Sequence, residues 1–180
     1  GILAGGGLRT VDGLDAASAR GFAVPPLDEE SAAAIQAMLP PVGSKGANPV
    51  DLANPVMSPV VINPIMEILA GREDIDFLVA YQMLFYLFNS ARRIRMSTGT
   101  EVQLEYHTEM AAKAVEIREK TGKPLSMVLL DIASDPEHIE MEQGRWQARK
   151  HYTEHGIPVF DNGLQAFSAL RRVAEYYKGK

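Results

Sequence analysis

There is no cysteine among the 180 residues, which excludes disulfide bonds and thiolate catalysis. That absence fits a reducing compartment, and the cytoplasm is the expected location. No apolar run is long enough to span a bilayer; the longest, Phe77 to Phe88, is interrupted by Gln82. No membrane role is expected. Positive charge is not in excess either. A formal net charge of −5 argues against nucleic acid as the main partner and against a broad basic groove for a polyphosphate. A phosphate bound here would have to be held mainly by backbone N–H groups. There is no initiator methionine, and Gly1-Ile2-Leu3 reads as the stump of a strand, so the chain is expected to be a piece of something longer. What is present is ordinary for a globular protein: 46% apolar and 23% charged residues, with room in residues 1–180 for one domain with a sizeable core.

The organising stretch is the first fifteen residues. A short apolar piece runs into Gly5-Gly6-Gly7 and then directly into an amphipathic segment. Glycine takes positive φ without steric cost and lets other groups approach the backbone closely. A glycine turn that opens a helix leaves backbone N–H groups without intrahelical partners, and these can bind an anion. A tight turn that happens to use glycine is the alternative.

Further along, Leu8 to Ala19 reads as a helix with Leu8, Val11, Leu14 and Asp15-Ala16 toward the core. Gly21 closes it, and Phe22-Ala23-Val24 reads as a short strand stopped by Pro25-Pro26. Asp28 is the expected N-cap of a second helix, whose apolar face is Ile35, Met38 and Leu39. A third helix starts at Ser58-Pro59 or at Asn63-Pro64, each placing proline at the first helical position; a kinked or late-starting helix is expected. Ile75 to Tyr81 is the clearest strand. Its continuation Met83–Phe88 is a lid, an inter-domain contact or part of the next helix. Arg92, Arg93 and Arg95 make a small basic cluster of the kind that is usually a solvated surface.

A long helix is expected from about Glu101 to Lys120, with Leu104, Thr108, Ala111, Val115 and Arg118 on one face. A strand from Leu125 to Ile132 follows. Asp135-Pro136 opens a helix through Ile139, Trp146 and Lys150 to about Glu154. Ile157 to Phe160 is a short strand, and Asn162-Gly163 starts a last helix carrying Leu164, Phe167, Leu170, Val173, Ala174 and Tyr177 on one face. Strand and helix thus alternate, about six strands with five or six helices. That implies right-handed crossovers and an α/β, flavodoxin-like, doubly wound sheet, mainly parallel, with helices on both faces. Ligands of such sheets sit at the carboxyl ends of the strands, where the strand order reverses. The glycine loop is one of those carboxyl-end loops.

Asn48-Pro49-Val50-Asp51 carries two polar side chains beside a short strand. Local turn chemistry, with both side chains bonding nearby backbone, is one reading. The other is that Asn48 supports the glycine loop from the neighbouring strand end while Asp51 orders the turn. His151 and His155 have the i, i+4 spacing of a metal-binding pair, but no third ligand is evident, and solvated surface histidines are the expectation. No metal site is assigned.

The order of short motifs resembles a known family. The glycine loop opens a helix carrying Asp12 and Leu14. Arg20-Gly21-Phe22, Pro26-Leu27, Glu29-Glu30-Ser31, Leu39-Pro40-Pro41, Asn48-Pro49-Val50-Asp51-Leu52, an Asp76-centred strand and Gly156-Ile157-Pro158-Val159-Phe160 then follow in turn. This is similar to the last flavodoxin-like domain of the α chain of NDP-forming (ADP-forming) acyl-CoA synthetases, and to the C-terminal domain of the succinyl-CoA synthetase β subunit. The resemblance implies an acid–CoA ligase that works through an acyl phosphate and a phosphohistidine. The histidine belongs to a neighbouring domain, and helix N-termini cradle its phosphoryl group.

Carried onto this chain, the resemblance makes Gly5, Gly6, Gly7, Leu8 and Arg9 the phosphate-binding loop, with Asn48 and Asp51 in support and no catalytic side chain. Arg9 stands where the family has small or apolar residues. The Ser-His-Thr-Gly-type motif, the ATP-grasp segment and the CoA-binding segment are not in this sequence, so the chain alone is expected to be inactive and to hold no cofactor itself. The complete enzyme would use CoA, ATP or ADP and Mg2+. The CoA-binding, phosphohistidine and ATP-grasp domains would be partners, fused or separate, in an expected oligomer. A non-catalytic inter-domain or oligomerisation module, docking through Met83–Phe88, is the alternative. A flavin or nucleotide module ranks lowest, because the first loop has no hydroxyl before Thr10.

Overall fold

The computed structural model describes residues 1–53, 58–100, 106–130 and 139–179, with the side chains of 85–87, 89, 90 and 140 outside that description. The Asn54-Pro55 turn, the helix start at Glu101, the Asp135-Pro136 cap and His138 therefore lie outside the described residues.

Five strands form one sheet: β1 Ile2–Ala4, β2 Val50–Asp51, β3 Leu78–Gln82, β4 Leu125–Leu129 and β5 Val159–Phe160. Their order is β2-β1-β3-β4-β5, and every pairing is parallel. Among the described residues the helices are α1 Gly7–Ser18, α2 Glu29–Ala37, α3 Pro59–Gly71, α4 Leu84–Thr98, α5 Tyr106–Thr121, α6 Ile139–Glu154 and α7 Gly163–Lys178. This is the expected flavodoxin-like, doubly wound architecture. Side chains alternate between the two faces of the sheet, as strand geometry requires. Ile2, Ala4, Val79, Tyr81 and Val128 pack with Ala16 and Ala17 of α1 and Ala166 and Phe167 of α7. Leu3, Leu78, Ala80, Met127 and Leu129 pack with residues of α2, α3, α5 and α6, among them Ile35, Ile62, Leu69, Ala111 and Tyr152.

Several local expectations are corrected. Phe22–Val24 is not a strand. Phe22 instead meets Phe77 edge-on, with ring centres 5.0 Å apart, and Asn48 Nδ2 donates to the Pro25 carbonyl at 3.0 Å. Aromatic packing below the sheet therefore claims this segment, and the described strands are five. α3 starts at Pro59 and runs through Pro64, so the earlier of the two proline signals is the start. Of the three readings of Met83–Phe88, part of the next helix is the one met: α4 begins at Leu84, which is buried, and Phe88 packs against the core.

The face of α1 is also largely reversed. Of the expected inward residues Leu8, Val11 and Leu14 are 75%, 55% and 39% exposed and Ala16 is buried, beside Thr10, Gly13 and Ala17. In α5 the buried residues are Met110, Ala111, Ala114 and Ile117, not a stripe through Thr108 and Arg118. In α6 Ala148 and Tyr152 are buried while Ile139 and Trp146 are exposed.

The reversal in α1 has a steric cause. Tyr81 is wholly buried, and its ring lies where α1 and α7 come together. A Cβ on Gly13 would meet Tyr81 Cε2 at 3.2 Å, and one on Gly163 would come within 2.0 Å of the Tyr81 hydroxyl. Only small residues fit on that side. Gly163→Ala is therefore expected to lower stability by about 1–3 kcal/mol through overpacking, measured as a fall in melting temperature. Tyr81→Phe in the same chain should recover part of the loss, because the clashing atom is the hydroxyl. An unchanged melting temperature in Gly163→Ala would contradict this packing.

Candidate functional site

In the order β2-β1-β3-β4-β5 the chain leaves β1 toward one side of the sheet and returns to lie on its other side as β3. The reversal falls between β1 and β3, whose paired ends are Ala4 and Tyr81. The loop after β1 is Gly5-Gly6, and Gly6 is the N-cap of α1 with φ +122°. That backbone region is open to glycine and strained for other residues. The cap residue offers no side chain and the first turn holds no acidic residue, in contrast to α2 and α7, whose caps Asp28 and Asn162 accept from Ser31 N and Gln165 N.

The Gly6 carbonyl accepts from Arg9 N at 3.0 Å and Thr10 N at 3.2 Å, which closes the first turn. An α-helix leaves its earliest amides without intrahelical acceptors. Here those are Gly7 and Leu8, both exposed. The Thr10 hydroxyl turns back to donate to the Gly7 carbonyl at 2.7 Å, so it is not offered to a ligand. Arg9 is half-buried, and its Nε is shielded from solvent.

Across the same reversal point, α4 starts at Leu84 after the cap residue Met83. It too has no side-chain cap and no acidic residue in its first turn. Two helix N-termini thus face the end of the β1–β3 pair. Each carries the positive end of its helix dipole, equivalent to roughly half a unit charge. Arg92, Arg93 and Arg95 are exposed further along α4.

The supporting residues separate. Asp51 ends β2 next to the loop: a Cβ on Gly7 would stand 3.4 Å from Asp51 Oδ2. Its Oδ1 accepts from Ala53 N at 2.9 Å, and Ala53 has φ +49°, so the side chain organises its own turn. Asn48 is at the other end of the strands. Its Oδ1 accepts from Ile2 N at 3.1 Å and its Nδ2 reaches Pro25, so it ties the entrance of β1 to the 22–25 segment. The structure does not bring Asn48 to the glycine loop. A cavity of about 170 Å³ at that same entrance, lined by Phe22, Phe77 and Phe167 among others, is likewise on the edge opposite the loop.

One residue beneath the reversal point escaped the motif reading. Gln82, the last residue of β3, is 1% exposed. Its Oε1 accepts from the Tyr152 hydroxyl at 3.0 Å, and its Nε2 donates to Met110 Sδ at 3.5 Å. The signal was its position as the lone polar residue within the run Phe77–Phe88. The bond ties the end of β3 to α6.

Solved structures share this architecture. PH0766 from Pyrococcus horikoshii OT3 superposes with a TM-score of 0.72 at 18% identity, over 98% of this chain and 35% of its own. The dinucleotide-forming acetyl-coenzyme A synthetase 1 of Ca. Korarchaeum cryptofilum superposes with a TM-score of 0.66 at 17% identity, over 98% of this chain and 33% of its own in the apo form. Its complex with phosphate and ADP gives 0.66 and 17% as well, with 32% of that chain covered. The chain has the fold of one region of an acetyl-coenzyme A synthetase. It spans about a third of the length of these proteins. No protein-family model and no curated protein matches the sequence. The expected resemblance to acyl-CoA synthetases is thus met at the level of fold.

Burial holds the Tyr152 phenol well above its usual range, outweighing the opposite pull of the Gln82 bond. Tyr152→Phe leaves Gln82 Oε1 without its donor in apolar surroundings and should cost about 1–3 kcal/mol. The sign with pH follows from the raised value. The contribution is intact below the unfolded phenol value of about 10 and declines as pH rises beyond it. Urea midpoints measured from neutral to alkaline pH should fall above that point, and fall less in Tyr152→Phe. A variant matching the parent in both midpoint and alkaline decline would count against this role.

Proposed function

We propose that this chain is a domain of an NDP-forming acyl-CoA synthetase, and that the N-terminus of α1 cradles a phosphoryl group carried on a phosphohistidine or acyl phosphate of neighbouring domains. The observation that carries the reading is the uncapped, glycine-led start of α1 at the strand-order reversal, where open α/β sheets bind ligands. The fold likeness to an acetyl-coenzyme A synthetase supports it. The chemistry is electrostatic: fixed N–H groups and a helix dipole stabilise phosphoryl charge without a basic side chain. Gly7 and Leu8 supply the free amides, Arg9 N being given to the Gly6 carbonyl, and Gly5 and Gly6 shape the turn.

Asp51 tempers the site. A carboxylate beside Gly7 weakens the hold on a resting anion, which suits a group that must be passed on rather than stored. Neither the acid–base work nor the ligands of a Mg2+–nucleotide are assigned to this chain. Among its described residues no three His, Asp or Glu side chains are gathered for a cation. CoA, the nucleotide, Mg2+ and the reactive histidine are assigned to the partner domains.

A second reading has its own observation. The outward side of α1 carries Leu8 and Val11, with Leu14 39% exposed. An apolar stripe of this kind next to the glycine loop suits contact with another domain. In this reading the alternative docking role moves from Met83–Phe88 to α1.

Titrating inorganic phosphate into the ¹⁵N-labelled chain separates the two. The first reading expects saturable amide shifts centred on Gly7, Leu8 and Arg9. Asp51→Asn, which keeps the acceptor for Ala53 N, should tighten binding about two- to fivefold at low salt. Amides that stay fixed up to roughly tens of millimolar phosphate would make the loop a tight turn and leave the docking reading in front.

A further inference from the structure

We propose that the guanidinium of Arg9, and not its amide, is a phosphoryl-binding group that completes the cradle at the start of α1 from the side of β3. The proposal rests on the phosphoryl reading and names the side chain that brings a full positive charge to it. The Arg9 amide is already given to the Gly6 carbonyl at 3.0 Å. The side chain is in the opposite position: its Nε is enclosed, and no hydrogen-bond acceptor meets it. A guanidinium is charged at every ordinary pH, and a buried donor without an acceptor is costly to a fold. A donor left in this state calls for a reason, and an ion bound in the working protein supplies one.

The helix and the strand order place this side chain. Arg9 is one helical turn ahead of Gly13, on the same face of α1, and Gly13 is the position that lies against the Tyr81 ring. Side chains on a helix lean toward its N-terminus, so Arg9 leans toward the glycine loop. It is near enough to the Tyr81 hydroxyl to oppose the upward push that burial and Asp12 give that phenol. Tyr81 belongs to β3 and pairs with Ala4, the last residue of β1. Asp51, which stands against Gly7, belongs to β2. Because β1 lies between β2 and β3, the carboxylate and the guanidinium flank the open amides of Gly7 and Leu8 from opposite sides. The guanidinium is on the side where the strand order reverses and where α4 begins just past β3.

The chemistry is that of a fork. A guanidinium donates two parallel N–H bonds to two oxygens of one phosphoryl group, and such charge-assisted bonds are stronger than neutral ones. The amides of a helix terminus add direction but only partial charge. Asp51 pushes an anion away from β2, so a cation on the β3 side draws it toward the reversal point. The ligand class is a phosphate or acyl phosphate dianion, whose several oxygens engage fork and amides together; a halide has no such set of oxygens. The family that the sequence resembles has small or apolar residues at this position, so the side chain is a feature of this chain and is not carried over with the resemblance.

The Nε–H correlation of Arg9 in the ¹⁵N-labelled chain, identified by its absence in Arg9→Lys, tests the proposal. Inorganic phosphate should shift it in step with the Gly7 and Leu8 amides, and chloride at equal ionic strength should not. Arg9→Met keeps the apolar stem and removes the donors. It should weaken phosphate binding about tenfold while the melting temperature without phosphate holds or rises. Arg9→Lys, which keeps the charge without the fork, should fall between the two. A purely structural role would lower the melting temperature and leave the affinity alone. If Arg9→Met melts early, the Nε shift in the parent chain decides. An Nε shift without amide shifts would support the side chain and remove the helix terminus. Shifted Gly7 and Leu8 amides with a fixed Nε, or unchanged affinity in Arg9→Met, would overturn this assignment and leave the phosphoryl reading standing. If neither amides nor Nε move up to roughly tens of millimolar phosphate, both fall.

Discussion

The structure depends on how closely α1 and α7 can approach the ring of Tyr81. That side chain stands on the central pair of strands, where Ala4 lies opposite Tyr81, and it is buried by α1 and α7 together. Gly13 and Gly163 provide the space by lacking a side chain. With the ring fixed, the first turn of α1 falls at the end of β1, and the glycine loop becomes a direct strand-to-helix step instead of a wandering connection. Burial and the nearby Asp12 carboxylate both raise the Tyr81 phenol above its usual range, so the wedge stays neutral at ordinary pH.

The overall fold was legible in the sequence because it rests on the strongest signals. β3 and β4 are apolar runs broken only by Gln82 and Ser126, buried on both faces as parallel strands must be, and glycine, proline and Asp28 or Asn162 punctuate the helices. The helix faces were less legible. Periodicity places large apolar residues inward, which fails where a helix lies against a bulky neighbour. α1 turns Gly13, Ala16 and Ala17 to the sheet because Tyr81 already fills the gap, and Leu8 and Val11 are left outside. Trp146 in α6 is outside for another reason: Arg145 and Arg149 stack on its ring with guanidinium carbons 5.6 and 5.5 Å from the centre, and both arginines pair with Asp161 beyond β5. A large aromatic residue is thus served at the surface by cations that sequence spacing alone does not assign to it.

The candidate site was legible in part. Three glycines before an amphipathic segment announce a turn that opens a helix, and that is what residues 5–7 do. Asn48 and Asp51 looked like a pair because they are three residues apart. The strand between them is only Val50–Asp51, so one residue enters it and the other leaves it, and they serve opposite ends of the strands. Spacing along a chain does not reveal on which side of a short strand a side chain will act. Gln82 illustrates the converse. Read as an interruption, it is a polar residue whose partner, Tyr152, lies seventy positions away, beyond the reach of any local pattern.

The two outer strands have a consequence for how copies of this chain meet. A parallel sheet that is not closed into a barrel leaves an open backbone edge on each side, a template for adding strands from another molecule. Here each edge strand is two residues long. On one side Lys45 exchanges both backbone hydrogen bonds with Asp51. On the other, the Val159 carbonyl accepts from Arg149 at 3.1 Å. A foreign strand would find few groups left to pair with, so the sheet is guarded against growing into a filament by its own margins.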